Sequence, residues 1–267
     1  MSKHRRKWND TVYRKYLREG RGQGVGAHYT PWLLVQDFPS KGMVSRVQGA
    51  KTGRIHHLMS NLETSFFFIL DWSEDVFDIR EQYPLLDLRE IIEIAERAHI
   101  RYPYDPQSGF PYIMTSDFYI DTATGPTVIA IKTSSDLGNP RIREKLEIER
   151  RYWNNRKIRW RVVTENEINT TKARNIEWLS QAKDLAYCGI PKEDHESCCL
   201  YFEARCSCRV PLSDLLKEIE MEFSLAPGAG LNVYKHLAYW KRIEFDATDA
   251  IDFTDFIQKD AICQRGA

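Results

Sequence analysis

Two apolar alternations separated by a six-residue turn constrain this chain more than any other feature. Ile113–Ile120 and Thr127–Ile131 both read as strands, and Asp121-Thr122-Ala123-Thr124-Gly125-Pro126 between them is dense in turn formers. So short a connection folds the second strand back beside the first and fixes a hairpin. Val76–Pro84 alternates in the same way and ends on proline, which gives a third strand. Ser60-Asn61-Leu62-Glu63 fits a capping box and leads into an apolar stripe of Leu62, Phe66, Ile69 and Leu70. Glu90–His99 reads as a second short helix, and Pro140–Lys157 as a charged amphipathic helix followed by a strand over Trp160–Thr164. Helices interleaved with strands in this order predict one α/β domain of mixed-sheet type over residues 60–168.

The flanks read differently. Residues 2–20 predict a short helix beginning after Asn9/Asp10 and stopping at Gly20. Residues 21–58 lack sustained periodicity and hold Pro31, Pro39 and several glycines, which predicts an extended, surface-following stretch. Residues 1–59 are therefore expected to be a basic N-terminal extension of the α/β domain. Beyond Asn169 the pattern turns helical, with stretches at Thr171–Leu185 and Leu212–Phe223, so residues 169–267 predict a second, smaller, mostly helical domain. The longest strictly apolar run, Phe66–Leu70, is far short of a bilayer span of about 20 residues. Lys3, Arg5, Arg6 and Lys7 precede no apolar core of a secretory signal, and a cytoplasmic location is expected. Six cysteines in 267 residues are too sparse for a disulfide scaffold, so reduced thiols are the default.

The formal net charge is zero, but it is unevenly spread. Residues 1–60 carry twelve Lys/Arg against three acids, and residues 211–267 carry ten acids against six Lys/Arg. A basic head interspersed with Gly20, Gly22, Gly24 and Gly26 suits a phosphate backbone, and it equally suits a solvated arm. Within the α/β domain, Asp117 interrupts an apolar alternation, and Lys132 ends the strand Thr127–Ile131 fifteen positions later. A hairpin sets two such residues at neighbouring strand ends. With Glu63 opposite and the backbone carbonyl of Ile131 beside them, they form a set of hard oxygens suited to magnesium next to a fixed positive charge. Phosphodiester hydrolysis needs those parts: a metal lowers the pKa of a bound water, and a lysine orients it or offsets phosphoryl charge. Each residue also has an ordinary structural role: Glu63 closes a capping box, Asp117 caps a strand end, and Lys132 blunts a sheet edge.

Several stretches together resemble the TnsA family of transposase endonuclease subunits. They are Arg18-Glu19-Gly20-Arg21-Gly22-Gln23-Gly24, Pro31-Trp32-Leu33, Lys51-Thr52-Gly53-Arg54 with His56-His57-Leu58, and Asp78-Ile79-Arg80-Glu81-Gln82. Thr115-Ser116-Asp117-Phe118, Glu144-Lys145-Leu146-Glu147 into Glu149-Arg150-Arg151-Tyr152-Trp153, Glu167-Ile168-Asn169 and Asn175-Ile176-Glu177-Trp178-Leu179 continue the likeness through about residue 180. The resemblance implies a restriction-endonuclease-like N-terminal domain and a winged-helix-like C-terminal domain that docks partners or DNA. It implies cutting at the 5′ ends of a transposon, on the non-transferred strands, with Mg²⁺ (two ions, Mn²⁺ substituting). The implied partners are transposon-end DNA, a TnsB-like DDE transposase and a TnsC-like AAA+ regulator, met at the bacterial nucleoid. By position, Glu63 and Asp117 match the family's metal carboxylates and Lys132 its catalytic lysine. One departure stands out: the family places Gln or Glu two residues before the lysine, and this chain has Ala130. Losing a polar group from a preorganised site costs about 10²-fold in comparable cases. The alternative reading is accordingly a non-cutting bridging subunit.

Other residues carry secondary expectations. Arg18, Arg21, Lys51, Arg54, His56 and His57 are candidate DNA contacts. Cys198, Cys199, Cys206 and Cys208 with His195 suggest zinc at first sight, but C-C-x₆-C-x-C is not the paired C-x₂-C of a zinc ribbon, and buried thiols are the ordinary reading. Arg150, Arg151 and Arg156 could reach DNA, although i,i+4 pairing of Glu147 with Arg151 accounts for the pattern.

Overall fold

The computed structural model describes residues 8–37, 44–206, 210–249 and 251. The chain divides into two compact units between Ile168 and Asn169.

The first unit is built on a four-stranded sheet in the order β3 (Val76–Pro84), β4 (Thr115–Thr122), β5 (Gly125–Ile131), β6 (Arg159–Val163). The first three strands are antiparallel, and β6 joins β5 in parallel after the crossover helix α4 (Pro140–Asn155). The β4–β5 hairpin is tighter than the sequence predicts. The strands run on to Thr122 and from Gly125, and the turn closes because Gly125 takes φ +103°, which a side chain would resist.

Helix α2 (Asn61–Trp72) covers one face of the sheet, with Phe66, Phe67 and Leu70 packing on Ile79, Phe118, Ile120, Ile129 and Ile131. On the other face, α3 (Leu88–Arg97) and α4 pack Ile91, Ile94, Ile148, Tyr152 and Trp153 against Val128 and Leu85. The alternation of β4 and β5 thus supplies both cores, and the sheet is buried between helical layers.

The described part of the N-terminal extension folds as part of this unit. Asn9 caps α1 (Asp10–Arg18) by accepting from Val12 N–H at 3.0 Å. Tyr16 then packs with Trp32 and Ile113 in a small aromatic cluster. Residues 21–58 are not the extended stretch that their low periodicity predicts. They contain two short 3-10 turns and an antiparallel pair, β1 (Ser45–Gln48) and β2 (Ile55–Leu58). Leu58 is buried in the α2-side core with Val47 against it, but much of what holds this pair is polar: Glu81 on β3 is fully buried and accepts from Arg54, His56 Nδ1 and the His57 N–H.

The described residues of the second unit are helical, with no strand among them: α5 (Thr170–Ser180), α6 (His195–Cys206), α7 (Leu212–Glu222) and α8 (Ala229–Tyr239). Helix α8 is buried nearly all round, through Val233, Tyr234, Leu237, Ala238 and Tyr239. Gly230 lets it approach α7, since a Cβ there would lie 2.3 Å from the Leu216 carbonyl oxygen. No helix among the described residues is long and apolar enough to cross a membrane.

Candidate active site

The hairpin delivers three groups to one place. Asp117 Oδ2 accepts from the Ile131 N–H at 2.6 Å and from Lys132 Nζ at 2.9 Å, and Lys132 Nζ also donates to the Ile131 carbonyl at 2.6 Å. The Lys132 N–H donates to Val163 O on β6, which anchors the end of β5.

Glu63 comes from the first turn of α2. Ser60 caps that helix by accepting from Glu63 N–H at 3.2 Å. The Glu63 carboxylate reaches back, Oε1 accepting from Ser60 Oγ at 2.9 Å and Oε2 from the Met59 N–H at 3.0 Å. The side chain is buried in this capping role, and it lies near enough to Asp117 and Lys132 for their charges to act on it.

The electrostatics are those of a site short of positive charge. Burial, and then the neighbouring Asp117, push the Glu63 carboxyl up to about 7, against the pull of Met59, Ser60 and Lys132. Burial works against the Lys132 ammonium, yet Asp117, Glu149 and Glu63 hold its pKa above the ordinary lysine value. Two carboxylates and a peptide carbonyl are hard oxygen donors, and the cation of Lys132 already bridges Asp117 and the Ile131 carbonyl. A divalent metal fits this donor set. Among the described residues no three His, Cys, Asp or Glu side chains gather as a metal site, so the carbonyl is needed to complete a shell. Ala130, where the family pattern carries Gln or Glu, is a fully buried methyl paired with Val162.

Glu149 is a member of this constellation that the sequence reading missed. It lies on α4, 5% exposed, and its Oε1 accepts from Ser116 Oγ at 2.7 Å and Trp160 Nε1 at 3.0 Å. Trp153 Nε1 in turn donates to Ser116 Oγ at 2.9 Å. Burial pushes the Glu149 carboxyl up to about 7, with the Asp117 charge adding to the shift. A signal was available. Leu146, Glu149, Tyr152 and Trp153 are spaced as one buried helix face, and a lone acid on such a face calls for a reason.

The candidate DNA contacts are mostly structural. Arg21 is buried, pairs with Asp37 and Glu19, donates to Trp32 O, and stacks over the Tyr16 ring at 3.6 Å. Arg54 is committed to Glu81 and the Ile79 carbonyl, and His56 is fully buried between Glu81 and Thr52. Burial would raise the Glu81 carboxyl, but Arg54 and His56 overcome it and hold it down at about 2. His57 is half-buried, and its Nδ1 accepts from the Val35 N–H. The assignment of Arg21, Arg54 and His56 to DNA is therefore corrected: each is spent on holding the polypeptide. Arg18 is exposed at the end of α1, and Lys51 is half-buried with its N–H bonded to Asp71. Cys198, Cys199 and Cys206 are free thiols buried on α6, pushed by burial to about 11, 11 and 12, and Cys208 lies outside the described residues. Nothing in that arrangement prepares thiolates for zinc. Arg150 and Arg151 both pair with Glu147, and Arg156 pairs with Glu90.

The comparisons with known proteins settle the family. Residues 73–165 match the TnsA-like endonuclease N-terminal family and residues 167–247 the TnsA endonuclease C-terminal family. The chain is 41% identical over 186 residues to the transposon Tn7 transposition protein TnsA of Escherichia coli, covering 68% of this chain and 67% of that protein. The chain belongs to the TnsA endonuclease family. The boundary between the two family matches falls where the structure divides into its two units, and both Asp117 and Lys132 lie inside the N-terminal match. Glu63 lies ahead of that match, so its place in the site rests on the geometry of α2. This TnsA-family chain is thus an endonuclease subunit of transposition by descent.

Proposed function

We infer that this chain hydrolyses the phosphodiester bonds at the 5′ ends of a transposon, on the non-transferred strands, in a Mg²⁺-dependent reaction. The observation that carries this reading is the convergence of Asp117, the Ile131 carbonyl and Lys132 within hydrogen-bond distance at the open end of a hairpin, with a buried Glu63 near enough for the Asp117 and Lys132 charges to act on it. Glu63, Asp117 and the Ile131 carbonyl would hold Mg²⁺, or Mn²⁺ in its place. When bound, the ion lowers the pKa of an attacking water and offsets charge on the phosphoryl oxygens. Lys132 supplies the fixed positive charge: its ammonium stays protonated, beside Asp117, and can orient the water or stabilise the developing oxyanion. Glu63 must be ionised to act as a ligand, and a cation beside it favours that form over the protonated one that burial favours in its absence.

The partners proposed from family membership are a TnsB-like DDE transposase for the 3′ ends and a TnsC-like AAA+ regulator, assembled on transposon-end DNA at the nucleoid. Reading of the end sequence is assigned to the partner, since two of the three candidate arginines, Arg21 and Arg54, are committed to acids of their own domain. The buried Ala130 keeps a second reading in play, a bridging subunit that does not cut.

A reconstituted transposition reaction with both donor strands end-labelled tests the choice, comparing wild type with Asp117→Ala. Double-strand excision by wild type and 3′ cuts alone by the variant support the nuclease. Intact 5′ ends with both proteins, while joining proceeds, identify a scaffold.

A further inference from the structure

Gln82 has a backbone that its fold position does not explain. Five non-glycine residues among those described have positive φ: Gln82, His99, Lys157, Ser224 and Lys241. The last four each follow the cap of a helix, α3, α4, α7 and α8 in turn, where a left-handed residue commonly closes the last turn. Gln82, at φ +49°, stands inside strand β3. Left-handed backbone is uncommon for a residue with a side chain, and where it persists the surroundings must enforce it.

The kink breaks the two-residue alternation of the strand. Arg80 and Tyr83, three positions apart, both lie against Tyr119, the guanidinium 4.3 Å from its ring centre and the Tyr83 ring 4.7 Å away. An undistorted strand would place them on opposite faces. The same turn of the backbone leaves the Gln82 carboxamide buried against the catalytic carboxylate. Gln82 Nε2 donates to Glu63 Oε2 at 3.3 Å, and Gln82 Oε1 accepts from Thr115 Oγ1 at 3.1 Å. Thr115 is two residues before Asp117 on β4. A hydrogen-bonded relay thus runs from the strand that carries one carboxylate to the helix that carries the other. The Gln82 carbonyl is tied in turn by the Trp32 N–H.

We propose that Gln82 is the positioning residue of the metal site, its amide fixing the Glu63 carboxylate relative to Asp117 through the Thr115–Gln82–Glu63 relay. This rests on the reading of Glu63 and Asp117 as metal carboxylates. Ala130 brings no polar side chain to the site, so Gln82 is the carboxamide that this chain holds against a ligand. Groups that orient a metal ligand from behind typically govern about 10- to 100-fold in affinity.

The test is Mn²⁺ binding to the full chain without DNA, read by electron paramagnetic resonance of the free ion, for wild type, Gln82→Asn, Thr115→Val, and the controls Glu63→Gln and Asp117→Asn. Asparagine tolerates left-handed backbone well but draws the amide back by one methylene, so it separates reach from backbone strain. Thr115→Val keeps the shape and β-preference of the strand while removing the hydroxyl, and it leaves the kink untouched. The expected result is an affinity about tenfold or more weaker for both variants, with melting temperatures close to wild type and the two controls failing to bind. Wild-type affinity in folded Gln82→Asn and Thr115→Val overturns the proposal alone. A wild type that binds no Mn²⁺, or controls that bind as wild type does, overturns the metal-site reading and the proposal with it.

Discussion

Replacing Glu149 by glutamine should make the protein more stable at alkaline pH and leave it nearly unchanged in acid. A glutamine carbonyl can accept from Ser116 Oγ and Trp160 Nε1 as Oε1 does now, so the contacts survive and only the charge is lost. Burial raises the carboxyl from 4.5 to about 7, which corresponds to a cost of about 3 kcal/mol for carrying the charge in the folded state. The sign follows from the folded pKa lying above the unfolded one. Wild type keeps the full benefit of a neutral Glu149 below pH 4.5 and loses it as pH rises through 7. The variant has nothing to titrate. The gap between the two stabilities should therefore open by about 2–3 kcal/mol between pH 4.5 and pH 8. Urea unfolding of both proteins at a series of pH values, with divalent metals chelated, measures that gap and is insensitive to any constant offset from the amide. Parallel curves would refute the reasoning, because they would mean that Glu149 is ionised at no cost and that its surroundings are wetter than its burial indicates.

Glu81→Gln should cost about 3–5 kcal/mol at pH 7, since it strands the buried Arg54, and a chemical denaturation midpoint reads it directly. Because the folded Glu81 sits at about 2, its contribution is present above pH 4.5 and fades as pH falls, so the variant should also lose part of the acid-side slope of wild type. Gly24→Ala should destabilise by at least about 2 kcal/mol, because Gly24 has φ +87° and a Cβ there would meet the His28 carbonyl oxygen at 2.3 Å; a thermal melt checks it. Lys132→Met should lower 5′-end cleavage by about 10²-fold or more in the reconstituted reaction while 3′-end joining continues. Cys198, Cys199 and Cys206 should resist alkylation at pH 8 in the native protein, as mass spectrometry of labelled peptides would show, and the purified chain should hold no stoichiometric zinc.

What the sequence disclosed was what depends on apolar periodicity and local chemistry. The strand Val76–Pro84, the hairpin and the helices α2 and α4 all follow from such patterns, and the capping box at Ser60 is present as written. The site was legible where a charge interrupts an apolar strand, as Asp117 and Lys132 do. It was harder to read where the charge sits on a helix face, as with Glu149, because in a helix rich in acids the spacing that marks one buried acid competes with several exposed ones. The β1–β2 pair escaped because its anchor is an ionic cluster around Glu81, and clusters assembled across 25 or more residues leave no local period. Arginine and histidine in the glycine-rich head suggested DNA by type alone, and only burial reveals that Arg21, Arg54 and His56 are bonded to acids of the same domain. Helix α8 was missed because a charged residue, Lys235, sits among its buried positions and Gly228 and Gly230 at its start read as a turn. The kink at Gln82 had no sequence signal, since glutamine is not one of the residues, Asn, Asp and His, enriched in such backbone.

Glu63 closes the beginning of a helix with the same two oxygens that the proposed metal would draw on. The fraying of the first turn of α2 and the occupancy of the site are therefore two legs of one thermodynamic cycle. Whatever ligand draws on that carboxylate alters the opening equilibrium of the Glu63 and Thr64 amides, and a substitution that loosens the turn, such as Ser60→Ala, must weaken the ligand by the same factor. Hydrogen exchange at two backbone amides would then report site occupancy locally, at the turn where the ligand acts.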